Sequence, residues 1–275
     1  MSGPDNISPT AHYTGEVWRR NGLSHPWLGT PEGRVMFEAL HPLMTASRSL
    51  GGPSLEAYLL ARHRAIDALL GRAIEGHGIT QVVEVAAGMS PRGWRFANRY
   101  GARLDYVEAD LPAMAARKRR ALRRIGSLSA HHRVADLDAR REDGPLSLGA
   151  LAQTLDRDRG LVLITEGLLG YLPTDAVLAL WQRFARVLDG CGGGRYISDL
   201  HLASATSPLV RAFRLGLAAF VRGGVYLHFQ DAAAAEDALC ECGFATAAVR
   251  PAGRLADLPG DSRGSMAHIL EASTT

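Results

Sequence analysis

The chain has 275 residues, 31 Lys+Arg against 28 Asp+Glu, a formal charge of +3 and 47% apolar residues. That balance fits one large α/β domain able to bury its own core, and gives no sign of a nucleic-acid-binding excess of charge. Lys118 is the single lysine among the 31 basic residues, and no G-x-x-x-x-G-K-[ST] motif surrounds it, so phosphate-loop nucleotidase chemistry is excluded.

The N-terminal stretch MSGPDNISPT has neither a basic region nor an apolar run, so no signal peptide is expected. Residues 1–54 mix aromatics with Pro and Gly turns and are expected to form a helical cap on a core spanning 55–275. A long helix is predicted over 55–75, followed by strands over 80–85 and 103–109. Pro112 suits a first helical turn, and the helix it opens carries the run Arg117 to Arg124, RKRRALRR. No aromatic residues interleave that run, so it reads as a solvated helix face and no nucleic-acid partner is expected. A weaker strand falls at 133–135 and a continuous apolar one, LVLIT, at 161–165, as expected of a strand buried on both faces. Pro173-Thr174-Asp175 opens a helix in which Val177, Leu180, Trp181, Phe184 and Leu188 keep the helical period up to the glycines at 190–194.

A fifth strand is predicted over 195–200, then a helical lid insertion at about 202–230, then a closing hairpin from runs at 245–249 and 266–270. The alternation of strands and helices is that of a parallel sheet with crossover helices. No run approaches the ~18 apolar residues of a membrane span; the nearest, 209–221, is broken by Arg211 and Arg214. Cys191, Cys240 and Cys242 have no paired metal spacing, which points to a reduced, cytoplasmic protein with no metal site.

Chemistry concentrates at the strand ends. Val82 to Arg92, VVEVAAGMSPR, runs from a strand through a small-residue loop into a helix, and Ala86, Ala87 and Gly88 let backbone approach a ligand closely. The nicotinamide fingerprint G-x-G-x-x-G is absent, since Ala86 stands at its first glycine. Glu84 lies on the strand itself, where an acid is costly unless it is hydrogen-bonded. Asp110 ends the second strand, where a carboxylate can accept both hydroxyls of a ribose. Asp136 follows the third strand and Glu166 the fourth. Four acids on one sheet edge suit an adenosine-containing ligand with a positive group.

In these pieces the chain resembles the leucine carboxyl methyltransferase family, in its branch of bacterial polyketide O-methyltransferases of the tetracenomycin type. The resemblance rests on SPTAHYT at 8–14, ARHR at 61–64, the loop from Glu84 to Arg92, VEADLP at 107–112 with Lys118, and EGLLGYL at 166–172. It implies a class I S-adenosylmethionine (SAM) methyltransferase: an α/β, Rossmann-like, seven-stranded mostly parallel sheet with an antiparallel C-terminal hairpin. It further implies that Arg62 holds the methionine carboxylate of SAM and that Ala86 and Gly88 pass beneath the methionine. Asp110 would bind the ribose, Asp136 and Leu137 frame the adenine, Glu166 lie at the amino-acid end, and Tyr13 and Thr14 belong to the cap over the cofactor. The family's Gly-Ala-Gly-x-Asp loop is here Ala86-Ala87-Gly88-Met89-Ser90.

A carboxylate acceptor is already ionised at neutral pH and needs only alignment, whereas a hydroxyl needs a base. Tyr171 and His201 are the acceptor-side candidates, with His201 the base in the hydroxyl case. The expected substrate is a small molecule such as a polyketide-type metabolite. The alternatives are a protein C-terminal carboxylate as acceptor, or a SAM-binding protein that transfers nothing.

Overall fold

The computed structural model of the chain describes residues 9–49, 55–204, 226–255 and 267–275. Most of the segment read as a lid therefore lies outside the described residues. Within the N-terminal segment, α1 (Pro9–Arg20) packs on α2 (Pro31–Ser49). The approach is close at Gly33, where an added Cβ would stand 2.3 Å from the His12 carbonyl oxygen.

The core begins with α3 (Leu55–His77) and β1 (Gln81–Val85). It continues through α4 (Arg92–Tyr100), β2 (Asp105–Asp110), α5 (Pro112–Ile125), β3 (His132–Asp136), α6 (Leu148–Ala152) and β4 (Leu161–Thr165). It closes with α7 (Thr174–Asp189), β5 (Gly194–Leu200), α8 (Ala232–Glu241), β6 (Thr246–Pro251) and β7 (His268–Ser273). The seven strands lie in the order β3-β2-β1-β4-β5-β7-β6. β1 to β5 are parallel, and β7 runs antiparallel to both β5 and β6. The late pair is thus the expected hairpin, with its second strand inserted between β5 and the first.

Strand alternation builds two cores, because successive side chains leave opposite faces. Val83, Val85, Val107 and Leu163 pack with Trp181, Phe184 and Leu188 of α7 on one face. Val82, Tyr106, Val162 and Ile164 pack with Ala65, Ile66, Leu69 and Leu70 of α3 on the other. Sandwiched between helices, β1 and β4 are buried at every residue, which explains the apolar run of β4 and obliges Gln81 and Glu84 of β1 to find partners. α5 buries Met114, Ala115, Lys118, Ala121 and Leu122. Its arginines sit on the outer side, where Arg117 pairs with Glu32 and Arg119 with Asp136. Gly126 ends α5 at φ 73°, donating to the carbonyls of Leu122 and Arg123. Among the described residues no helix is long and apolar enough to cross a membrane.

Candidate functional site

The carboxyl ends of β1 and β2 form the centre of the site. After Val85 the chain turns at Ala86, whose φ of 55° is the single positive value outside glycine among the described residues. Gly88 follows at φ 50°, and a Cβ placed on it would meet nothing within 4 Å, so its Cα faces open space. The loop is pinned from behind. Ala87 N–H donates to the Ala109 carbonyl at 3.2 Å, and Gly88 N–H donates to Asp110 Oδ2 at 2.6 Å. Asp110 Oδ1 accepts from Leu111 N–H at 2.7 Å. Burial pushes the Asp110 carboxyl above its ordinary value, although both N–H groups and Lys118 oppose the shift. Asp110 is in register with Asp136, which is 42% exposed and bonded to Arg119. Leu137 is buried and gives its N–H to the Asp110 carbonyl at 2.7 Å. Gly15 of α1 lies over the loop, an added Cβ there standing 3.9 Å from Met89 Cβ. The neighbouring Tyr13 and Thr14 are buried, Tyr13 stacked on Phe37.

A second group of residues lies beneath the ends of β1 and β4, away from water. Glu84 is 1% exposed and is the buried strand acid that required partners. Arg92 Nη1 donates to it at 2.5 Å and Tyr106 Oη at 2.7 Å. The same guanidinium donates through Nε to Asp67 at 2.7 Å and through Nη2 to Glu166 at 2.5 Å. Glu166, 3% exposed, also lies 2.8 Å from His63 Nδ1 and accepts from Arg62 Nε at 3.0 Å. Burial alone would raise the Glu166 carboxyl, but His63, Arg92 and Arg62 outweigh it and hold it well below the usual glutamate value. Asp67 is lowered in the same way, against burial, by His63, Arg92 and Arg95.

Asp199, near the end of β5, completes the group. Its Oδ2 accepts from Arg62 Nη1 at 3.1 Å, and its Oδ1 accepts from Gly167 N–H at 2.7 Å. A Cβ on Gly167, at φ 69°, would stand 3.4 Å from both terminal nitrogens of Arg62. Asp199 therefore fixes Arg62 and the turn after β4 together.

On the side of β4 and β5, Tyr171 is 39% exposed at the end of a short 3-10 turn, and Tyr226 N–H donates to the Gly170 carbonyl. His201 Nε2 lies 2.8 Å from Tyr58 Oη, and the Arg62 guanidinium carbon is 5.8 Å from the Tyr58 ring centre.

The structure thus joins Ala86, Gly88, Asp110, Asp136 and Leu137 along one edge, and Arg62, Glu84 and Glu166 in one buried network. The residues that bind the network together, Arg92, His63, Asp67 and Asp199, were not singled out from the sequence. Arg92 and His63 stand inside two of the quoted stretches, 84–92 and 61–64, and the place of Glu84 on a buried strand is the signal that a hydrogen-bonding partner is required.

Strand order and site define a class I methyltransferase fold. The leucine carboxyl methyltransferase model matches residues 27–185, and the chain belongs to that family. A Frankia alni protein named as an inferred S-adenosyl-L-methionine-dependent methyltransferase is 35% identical over 160 residues, 57% of this chain and 51% of that protein. The chain spans about half or less of the length of the curated relatives it matches. Two solved structures share the fold. A DUF574-family protein from Streptomyces avermitilis superposes with TM-score 0.69 at 14% identity over 97% of each chain. A methyltransferase-like protein from Thermobifida fusca superposes with TM-score 0.67 at 13% identity over 95% and 93%.

Proposed function

We propose that the protein is a SAM-dependent O-methyltransferase acting on a carboxylate of a small molecule. The observation that carries this reading is the pairing of Gly88 with Asp110. A loop with an open Cα face is bonded at 2.6 Å to a half-buried carboxylate at the end of the neighbouring strand. That is the arrangement a nucleoside with an attached amino acid requires: close backbone approach at one end and an acceptor for hydroxyls at the other. The residues present fit the cofactor. Asp110 would take the ribose, Asp136 and Leu137 border the adenine, and Gly88 and the Ala86 turn lie under the methionine. Arg62 would reach its carboxylate while Asp199 and Glu166 hold the guanidinium in place.

When bound, SAM supplies a methyl group on a sulfonium, open to in-line displacement. The protein's share is alignment and exclusion of water. Family membership favours a carboxylate acceptor, which is ionised at neutral pH and leaves no proton to be removed. On that reading Tyr58 and His201 orient the acceptor, and Tyr171 borders its entry. For a hydroxyl acceptor His201 would be the base, with its Nε2 already engaged by Tyr58 at 2.8 Å.

The reading is tested by titrating the protein with SAM in a calorimeter, then incubating it with labelled SAM and a panel of aromatic and aliphatic acids and phenols. Saturable SAM binding and label transfer to acids are expected. Absence of SAM binding would overturn the reading. Transfer to phenols alone would replace carboxylate chemistry with hydroxyl chemistry, and label recovered on a protein C-terminus would point to a macromolecular acceptor.

A further inference from the structure

The single lysine of the chain occupies a place that arginine could not fill. Lys118 projects from α5 and is 1% exposed. Its Nζ meets three acceptors. It donates to the Ser90 carbonyl at 2.5 Å and to the Gly88 carbonyl at 3.3 Å, and it forms an ion pair with Glu108. An ammonium carries three donors arranged about a compact point, whereas a guanidinium spreads its donors in a flat fork. Three acceptors converging on one buried atom therefore select lysine over arginine, in a chain that uses arginine at every other basic position.

The far side of the ammonium is equally constrained. The other oxygen of Glu108 lies 2.7 Å from His132 Nε2. Its carboxylate runs past Gly93, where an added Cβ would stand 2.4 Å from Oε1 and 2.8 Å from Cγ. Against burial, which would raise it, Lys118 and His132 keep the Glu108 carboxyl below its ordinary value. The charge pair is thus clamped between β2, β3 and α4, and it reaches the Gly88 and Ser90 carbonyls from below. With those carbonyls drawn toward Lys118, and Gly88 N–H drawn toward Asp110, the polar groups of Gly88 are tied and its Cα stays open.

We propose that Lys118 is a positioning residue that holds the 86–90 loop in its ligand-ready shape before any ligand arrives. For the part that concerns SAM, this rests on the function proposed above. Fixing a loop in its bound conformation strengthens binding by removing the ordering cost.

Three variants and two measurements test it. Lys118→Met, Lys118→Arg and His132→Phe are compared with the unaltered protein by amide hydrogen exchange over 86–90 and by SAM calorimetry, with thermal unfolding recorded for each. His132→Phe removes a partner of Glu108 without touching the loop carbonyls. It is expected to lower the Tm while leaving loop exchange, and SAM affinity within about twofold, unchanged. Lys118→Met is expected to speed exchange over 86–90 and to raise the Kd for SAM at least tenfold. Lys118→Arg is expected not to rescue either.

If Lys118→Met does not fold, the double variant Glu108→Gln/Lys118→Met removes both charges and is expected to show the same loop exchange and Kd. Normal loop exchange and normal Kd in Lys118→Arg, or changes in His132→Phe and the Lys118 variants that simply follow the Tm, would overturn the proposal. If the unaltered protein does not bind SAM, the function proposed above falls, and loop exchange alone still decides the role of Lys118.

Discussion

Arg92 Nη2 lies 2.5 Å from Glu166 Oε2, which ties the first turn of α4 to the residue just after β4 across the base of the candidate site. Arg92 is fully buried and also serves Glu84 and Asp67. Removing one partner of a buried ionic group leaves uncompensated charge, which costs about 3–5 kcal/mol. Arg92→Met takes a counter-charge from three carboxylates at once, leaving Glu84 with Tyr106, Asp67 with Arg95 and Glu166 with Arg62 and His63, so a loss of about that size is expected in the free energy of urea unfolding. A loss under about 1 kcal/mol would place the network's importance elsewhere.

The same network sets a pH dependence. Glu166 and Asp67 are held below their ordinary values in the folded chain. A carboxyl depressed by folding adds stability that is fully present above its unfolded value and is lost as pH falls through its folded one. The urea midpoint is therefore expected to hold down to about the ordinary carboxyl range of pH 4 to 4.5 and to fall steeply only below it. In Arg92→Met that late acid transition is expected to move upward, because a counter-charge shared by both carboxyls has gone. Midpoints that decline in parallel from pH 6 in both proteins would contradict this.

The sheet was legible because its signals are local. The first four residues of LVLIT are apolar since both faces of β4 are covered, and Val177, Leu180, Trp181, Phe184 and Leu188 mark the covered stripe of α7 directly. α8 was not foreseen, because its AAAAEDALCE sequence has small residues on every side and shows no stripe. The strand-end residues Gly88 and Asp110 were legible from one motif each. Most partners of Glu84 and Glu166 were not, because His63, Arg92 and Tyr106 come from α3, α4 and β2, and only the fold brings them together.

Ala86 holds a φ of 55°, a conformation that costs an L-residue roughly 1–2 kcal/mol relative to glycine. Ala86→Gly removes that strain but gives back part of the gain through a more flexible unfolded chain. The Tm is expected to stay level or rise slightly, with SAM affinity preserved. Ala86→Val is the opposing case, since a β-branched side chain is strongly disfavoured at positive φ. It is expected to lower the Tm and to weaken SAM binding together. Equal Tm values for the two variants would show that the turn relaxes without consequence.

Asp110 gives the most direct check on the proposed cofactor site. As an ionised carboxylate it would accept from the ribose hydroxyls, and losing one such charged bond costs about 1.5–3 kcal/mol, or about tenfold to a hundredfold in affinity. Asp110→Ala is expected to raise the Kd for SAM by that factor with the fold retained by circular dichroism. The pH profile supplies the second half of the test. Burial raises the Asp110 carboxyl above its ordinary value of 3.8, and the ionised form is the one that accepts from ribose hydroxyls. Affinity in the unaltered protein should therefore be full at neutral pH and should weaken on acidification at a pH above 3.8, before the depressed carboxyls of the buried network titrate. In Asp110→Asn the weakening should disappear, leaving a lower but flat affinity over the same range. A profile that is identical in the two proteins would remove Asp110 from the ribose site.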